Sequence, residues 1–585
     1  MDSTSAFDAG VTCSAPGKVL LAGGYIVLQA GAPPGLVVCT SSRFYSSVFA
    51  GEEGSGSASG PVSAPATDGA VEVVVESPQF RASWRYALAP RPPFALAPRD
   101  AARRNPDAEH AIELALCAAS GTGGGGAGVA ASLAALAAQG RALRVVLRAD
   151  NDFYSQRRQL EARALPLSLA SLAALPRFLE CPVGEDGAVV VNKTGLGSSA
   201  ALVASLVGAV MAFVGATPEL LAGTAPGASP AGPRAAAERL LVHSAAQVAH
   251  GLAQGKVGSG FDICSAAFGS IRFSRIAPEA LGARMEAAQV AIRGAGGAKA
   301  YAALARDLVT ISGERVEPPV TALASASAGA PTWAFGAAPF YLPDGISLML
   351  ADVAGGSETP SMVRQILAWR DAGASAGAGA TPSVLPAGSD DAGGEEGADG
   401  AELVAAAEAA RAAASGPPLW RNLAAANARI AVAVGQMKTL SDAVGPAAYR
   451  AALDACAGSA IDQWRAGSAA LAPDSARVAR KLALLADAFA LSRRLLREMG
   501  EAAGVPVEPP AQTSLADDTL REAGVVAAGV PGAGGFDALF AVIVDVGGVR
   551  GAVEARWLGR GGGGLTPLPL HEGDRGLEVR CGSDP

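Results

Sequence analysis

A nonapeptide in the first half of the chain constrains the fold more than any other feature. It reads Lys193-Thr194-Gly195-Leu196-Gly197-Ser198-Ser199-Ala200-Ala201. The apolar run 188–191 before it predicts a strand, and the long Ala/Val/Leu segment after it predicts a helix. Two glycines let backbone N–H groups approach an anion, and a helix N-terminus favours negative charge. The serine hydroxyls add ligands for a phosphate or for magnesium. The sequence Gly-x-x-x-x-Gly-Lys-Ser/Thr is absent, as is the protein-kinase motif set. Alone, the same residues also describe a glycine-rich turn capped by serine. Other segments must decide.

With 585 residues, 50% of them hydrophobic, the chain is long enough for more than one domain and is not disordered. A formal net charge of −8 argues against a nucleic-acid surface, so an anionic substrate would need a local basic pocket. The seven cysteines are odd in number, widely spaced and without a Cys-x-x-Cys pair. They point to neither a disulfide framework nor a zinc site, and to a reducing compartment. Residues 1–8 lack the basic-then-apolar pattern of a signal peptide. Residues 194–218 carry no charge and are long enough to cross a bilayer. They begin with the glycine loop and are rich in Ala, Gly and Ser, so a buried core helix is expected rather than a membrane span.

Patterning predicts strands at 11–13 and 19–22 around a turn at Ser14–Lys18, and at 36–42, 71–76 and 143–148. Helices are predicted over 107–119, after the glycine loop, and over 235–252. Residues 51–69 read as a loose loop and 121–128 as a flexible stretch. A second unit opens with a strand at 347–353 and a helix at 361–370. A low-complexity insertion at 372–418 follows, its first half expected to be disordered and residues 401–414 helical. Helices at 419–440, 447–463 and 475–499 and strands at 538–546 and 551–558 complete the chain. The expectation is two α+β domains, 1–335 and 336–585.

Four further segments carry chemistry. Pro16-Gly17-Lys18 sets a lysine beside an apolar strand, where burial is costly unless it faces an anion. A solvated turn lysine is the plainer alternative. Residues 254–262, ending Gly258-Ser259-Gly260-Phe261-Asp262, form a second glycine loop. Asp262 either contacts an acceptor, metal or lysine, or caps the next helix. Gly532–Asp537 is a third glycine cluster, and Gly355–Ser361 precedes a helix with cap residues and a proline.

In order and spacing these segments resemble the GHMP kinase superfamily (galactose, homoserine, mevalonate and phosphomevalonate kinases). Its three motifs correspond to Pro16–Lys18, Gly195–Ala200 and Gly532–Asp537. Within it, Ala22–Leu28, Asp150–Ser155, Lys193–Ala201, Ala253–Asp262 and Ser357–Arg364 are similar to the phosphomevalonate kinases of plants and fungi. The resemblance covers most of the chain except the low-complexity insertions. It implies an N-terminal domain like ribosomal protein S5 domain 2 and a ferredoxin-like C-terminal domain, with ATP and substrate in the cleft between them.

By that resemblance Gly195, Leu196, Gly197, Ser198, Ser199 and Ala200 would wrap the ATP phosphates, with Ser199 on magnesium. Lys18, Lys193 and Asp262 would be catalytic, Lys18 and Asp262 close enough to pair. Tyr25, Ser259, Gly260 and Gly534 would join Lys18 at the substrate. Arg43, Arg157, Lys256 and Arg364 are further candidate cations. Mevalonate kinases carry a magnesium glutamate on the helix before the Asp262 position, but residues 243–254 contain no carboxylate here. That leaves magnesium to Ser199, phosphate oxygens and water, with Gln247 and His250 as supporting groups. The implied reaction is phosphorylation of 5-phosphomevalonate by ATP, in the mevalonate route to isoprenoids and sterols. It implies a cytoplasmic monomer or homodimer, a peroxisomal location staying open, with no nucleic-acid or membrane partner. The rival readings are a relative acting on a hydroxyl, such as mevalonate kinase, and a catalytically silent sensor on the same fold.

Overall fold

The computed structural model describes residues 9–52, 70–123, 125–223, 232–294, 296–312, 333–353, 355, 359–375, 395–559 and 565–584. Residues 1–8, most of the expected loose loop (53–69), residues 356–358 and the first half of the expected insertion (376–394) lie outside them.

The N-terminal half is built on a nine-stranded sheet. Its main path runs β13 (Glu578–Cys581), β1 (Val11–Ala22), β2 (Gly35–Glu52), β6 (Arg141–Ala149), β3 (Val71–Ser77), β4 (Ala82–Leu88) and β5 (Leu96–Pro98). The start of β2 also pairs with β7 (Ile271–Ser274), which pairs with β8 (Gly336–Pro339). Every residue of β1 is buried except half-buried Lys18, the near-continuous apolar pattern of a strand covered on both faces. The expected turn at Ser14–Lys18 is not a turn. β1 runs straight through it, in register from Val11↔Val48 to Pro16↔Arg43 and resuming at Lys18↔Cys39. Gly17 sits in the resulting bulge, and a Cβ there would lie 2.8 Å from Thr40 Oγ1.

Helices α1 (Pro106–Ser120), α2 (Ser198–Phe213) and α3 (Pro233–Gln254) pack together on this sheet, followed by the short α4 (Phe261–Phe268). Small residues bring α2 close to β1: a Cβ on Gly208 would sit 2.8 Å from Cys13 Sγ. No helix among the described residues is long and apolar enough to cross a membrane. All seven cysteines are free, six of them buried.

The second unit is a four-stranded antiparallel sheet, ordered β10 (Val525–Gly529), β11 (Ala538–Val544), β9 (Ile346–Asp352), β12 (Thr566–Pro567). In chain order this is strand–helices–strand–strand–helix–strand with spatial order 4-1-3-2 from the β12 edge, the ferredoxin-like arrangement. Two long helices, α5 (Pro418–Val444) and α6 (Pro473–Ala503), pack together between its first and second strands.

Three expectations are corrected. Residues 551–558 are not a strand but part of α7 (Val549–Gly559). Val549, Val553 and Trp557 recur every four residues and are buried on one face. Residues 188–191 form no strand, only a bridge between Val183 and Val189. The boundary at 335/336 is not clean either: β8 still belongs to the first sheet, and β13 returns to it after the second domain. Arg43 holds that return. It donates from Nε to Ser14 Oγ (2.9 Å) and from Nη2 to the Gly576 carbonyl (2.7 Å), and pairs with Glu578 at 3.4 Å. That removes it from the expected pool of substrate cations.

Candidate active site

The glycine loop enters α2 through two left-handed residues, Gly195 (φ 79°) and Gly197 (φ 78°). Gly197 is the N-cap and no side chain caps it, so the first-turn N–H groups of Ser198, Ser199 and Ala200 stay open for an anion. Because no strand precedes the loop, the segment 150–155 braces it. Thr194 donates from N to the Phe153 carbonyl (3.2 Å) and from Oγ1 to the Asp152 carbonyl (2.5 Å), and Ser155 N donates to the Asn192 carbonyl (2.8 Å). Asp152 is in turn fixed by Ser42 Oγ at 2.6 Å.

Lys18 lies beneath this loop. Its backbone N–H donates to the Leu196 carbonyl (2.9 Å) and its Nζ to the Gly195 carbonyl (2.8 Å). A Cβ on Gly197 would fall 2.8 Å from Lys18 Cε, so a side chain there would push the end of the lysine aside, at a residue whose φ of 78° already favours glycine. The ammonium also sits 5.6 Å from the Phe261 ring centre. Burial pulls the Lys18 pKa below its usual value, against the opposing fields of Asp262 and Asp537. Lys18 and Asp262 interact through this field and do not form the close ion pair expected of them. Asp537 is a charge that motif reading did not single out. Its Cβ lies 3.9 Å from where a Gly195 side chain would begin, so the third glycine cluster meets the first loop.

Asp262 is the second residue of α4, whose N-cap is Gly260 (φ 81°). Gly260 is held from α3: Gln247 Nε2 donates to the Gly260 carbonyl (2.7 Å) and to His243 Nε2 (3.0 Å). That second bond assigns the ring proton of His243 to Nδ1. His243 is buried and stacked on Phe335 at 4.5 Å, and burial pushes its pKa down to about 3 from 6.5. The unfolded chain therefore takes up a proton below about pH 6.5 that the folded chain refuses until far lower pH. This contribution to stability is complete above that pH and declines on acidification, by about 1.4 kcal/mol per pH unit. Chemical denaturation from about pH 7 down to about pH 4.5 should show that slope, flattened in His243→Asn.

The remaining expected residues fall in distinct places. Tyr25 is buried and donates its hydroxyl to the Ala533 carbonyl at 2.7 Å. It therefore ties the first motif to the third and is not a free substrate ligand. Gly534 (φ 80°) packs against Val507, and Gly535 N donates to the Val507 carbonyl at 2.8 Å. Ser259 is half-buried in the loop before Asp262, while Lys256 and Arg364 are exposed. Ser155 Oγ donates to Asp352 Oδ2 (2.5 Å) and Arg157 Nη2 to the Asp352 carbonyl (3.2 Å), so Arg157 joins the two domains. Ser199 Oγ lies 3.2 Å from His250 Nε2. Lys193 is exposed at a bridge to Tyr154, within electrostatic reach of Asp107.

No family model matches the chain. A peroxisomal phosphomevalonate kinase of Arabidopsis thaliana is 31% identical over 552 residues, covering 92% of this chain and 91% of the relative. A phosphomevalonate kinase of Gibberella zeae is 28% identical over 548 residues, covering 92% and 88%. Among solved structures, the Streptococcus pneumoniae phosphomevalonate kinase in complex with phosphomevalonate and AMPPNP aligns over 96% of this chain and 99% of its own, at 12% identity and a TM-score of 0.44. That likeness is too distant to place any residue.

Proposed function

The chain belongs to the phosphomevalonate kinases of the GHMP superfamily, and on that premise we propose how its residues divide the work. The reaction is transfer of the γ-phosphoryl of ATP to 5-phosphomevalonate, giving 5-diphosphomevalonate and ADP. The observation that carries the assignment of residues is the seat of Lys18, with Nζ on the Gly195 carbonyl between the open first turn of α2 and the loop ending at Asp262.

The N–H groups of Ser198, Ser199 and Ala200 hold the ATP phosphates. The remaining Nζ protons of Lys18 face the transferring group and the acceptor phosphate. There the lysine offsets the charge of two anions brought together, the largest electrostatic problem of the reaction. Magnesium suits the loop, because the Ser199 hydroxyl, 3.2 Å from His250 Nε2, stands in the uncapped first turn of α2. When bound, it neutralises charge on the β- and γ-phosphates. Lys193 adds positive charge at the loop's edge.

The acceptor is a phosphate monoester whose second pKa is about 6, so near neutral pH it is largely a dianion and already nucleophilic. Asp262 is then an orienting group for Lys18 and the acceptor, with no proton to remove. Asp262→Asn should lower kcat by about 10- to 100-fold, below the 10²- to 10⁴-fold typical of a general base, and leave the pH profile unchanged in shape. A loss beyond about 10⁴-fold with KM intact would make Asp262 indispensable and contradict this role.

The seven free cysteines support a reducing compartment, and we assign the chain to the cytoplasm; a tagged full-length chain localised to peroxisomes would overturn that. ³¹P NMR of the protein with magnesium, ATP and 5-phosphomevalonate tests the reaction. Diphosphate resonances should grow in step with ADP, and hydrolysis of ATP to free phosphate alone would contradict it.

A further inference from the structure

Arg275 follows β7 and joins two carbonyl groups that lie far apart in the sequence. Its Nη2 donates to the Gly258 carbonyl at 2.7 Å and its Nη1 to the Leu28 carbonyl. It makes no ion pair among the described residues, and its Nε is buried without a hydrogen-bond partner. Burial pulls its pKa down to about 10 from 12.5, against the field of Glu279. Taking a guanidinium out of water without a paired carboxylate is costly, so stability alone is a poor account of it.

The two partners say what the side chain connects. Leu28 ends the 3₁₀ helix Gly24–Leu28, in which Tyr25, Ile26 and Val27 are buried. That helix is fixed to the second domain through Tyr25 at the Ala533 carbonyl and, one residue beyond its end, through Gln29, whose Oε1 accepts from Trp420 Nε1 at 3.0 Å. Gly258 opens the stretch Gly258-Ser259-Gly260-Phe261-Asp262. Gln247 holds the Gly260 carbonyl from α3 while Arg275 holds the Gly258 carbonyl, so both carbonyls are bound to the protein. Among the described residues nothing accepts from the backbone N–H groups of Gly258, Ser259 and Gly260. Successive open N–H groups of this kind suit an anion.

Resting on the kinase reading above, we propose that Arg275 is a positioning residue for the phosphate acceptor. By joining the Gly258 carbonyl to the Leu28 carbonyl, it sets the second glycine loop against the first motif and turns the loop's N–H groups and Asp262 toward the acceptor phosphate. It acts on 5-phosphomevalonate through this loop, and not on ATP, which the first turn of α2 holds. Arginine suits the task because its planar fork reaches two acceptors in fixed directions, whereas lysine is a point donor.

The test compares Arg275→Lys and Arg275→Met with wild type in the full chain, by steady-state kinetics and by calorimetry of AMPPNP in excess magnesium. The value of kcat/KM for 5-phosphomevalonate should fall by about 10²-fold in Arg275→Met and about tenfold in Arg275→Lys, as for a loop misplaced by about 1 Å. AMPPNP affinity should stay within about twofold of wild type, because the lost interactions serve the acceptor. Combined with Asp262→Asn, Arg275→Met should cost less than the product of the two single losses, since both act through one loop. Equal weakening of nucleotide and acceptor would make Arg275 a general support of the fold, and multiplicative losses would place its effect outside the loop. Either result overturns the proposal, as does an unchanged kcat/KM. If Arg275→Met melts below assay temperature, Arg275→Lys is read in the same way. A wild type that binds AMPPNP but never turns over 5-phosphomevalonate would overturn the kinase reading itself, a different result.

Discussion

Lys18→Met should abolish turnover, lowering kcat by about 10³-fold or more while the protein stays folded. Removing one preorganised donor from a site of developing charge costs about 10²- to 10³-fold. Lys18 answers for more than one donor, because it carries a full charge where two phosphate-bearing substrates meet. Without it, the fields of Asp262 and Asp537 that now favour its protonation act unopposed on those anions. The fold should not suffer. The stem passes Gly197, but among the described residues the Lys18 Nζ makes a single hydrogen bond, and burial already disfavours its charge. Steady-state ADP release and thermal melts check both halves. A variant that keeps more than a tenth of wild-type kcat would remove Lys18 from the chemistry.

The second large effect is expected at Gly534. A Cβ there would stand 2.0 Å from the Val507 carbonyl oxygen, at a residue whose φ of 80° already disfavours L side chains. Backbone atoms on both sides cannot yield as a flexible side chain would. Gly534→Ala should therefore lift the 532–537 segment off Val507, breaking the Gly535 N–H bond and drawing Ala533 from Tyr25. Asp537 then leaves the glycine loop. We expect kcat/KM to fall by about 10²-fold, as for other small displacements of a catalytic constellation, with a melting point lower by several degrees. Gly532→Ala is the control. It shares a positive φ, 67°, but its Cβ would meet nothing within 4 Å. It should cost only the backbone strain, about 1–2 kcal/mol. Equal behaviour of the two variants would contradict the packing account.

Much of this site was legible because glycine loops announce themselves locally. Gly195, Gly197 and Gly260 take positive φ values, which suit the close backbone approach that the glycine loops imply, and the helix after the first loop follows from its long Ala/Val/Leu run. What stayed hidden depends on pairing across the chain. Pro16-Gly17 has the composition of a turn, yet the same residues serve a bulge when β2 continues alongside. Val553 and Trp557 suit a strand by propensity, and only their spacing with Val549 favours a helix. Arg43 looked like a free cation until β13 returned from the far end of the chain to occupy it. Asp537 ends the third glycine cluster, but nothing in the sequence says that this cluster meets the first loop, where its Cβ stands 3.9 Å from the position of a Gly195 side chain. The domain boundary blurred for the same reason, since strands from both ends build one sheet.

The central claim is that this site joins a phosphate donor to a phosphate acceptor. ADP release with magnesium and ATP, compared between 5-phosphomevalonate and mevalonate at matched concentrations, tests it most directly. The account predicts turnover with the phosphorylated substrate and none above background with mevalonate. Comparable or faster turnover with mevalonate would contradict it, because Asp262 would then be needed as a base toward a hydroxyl.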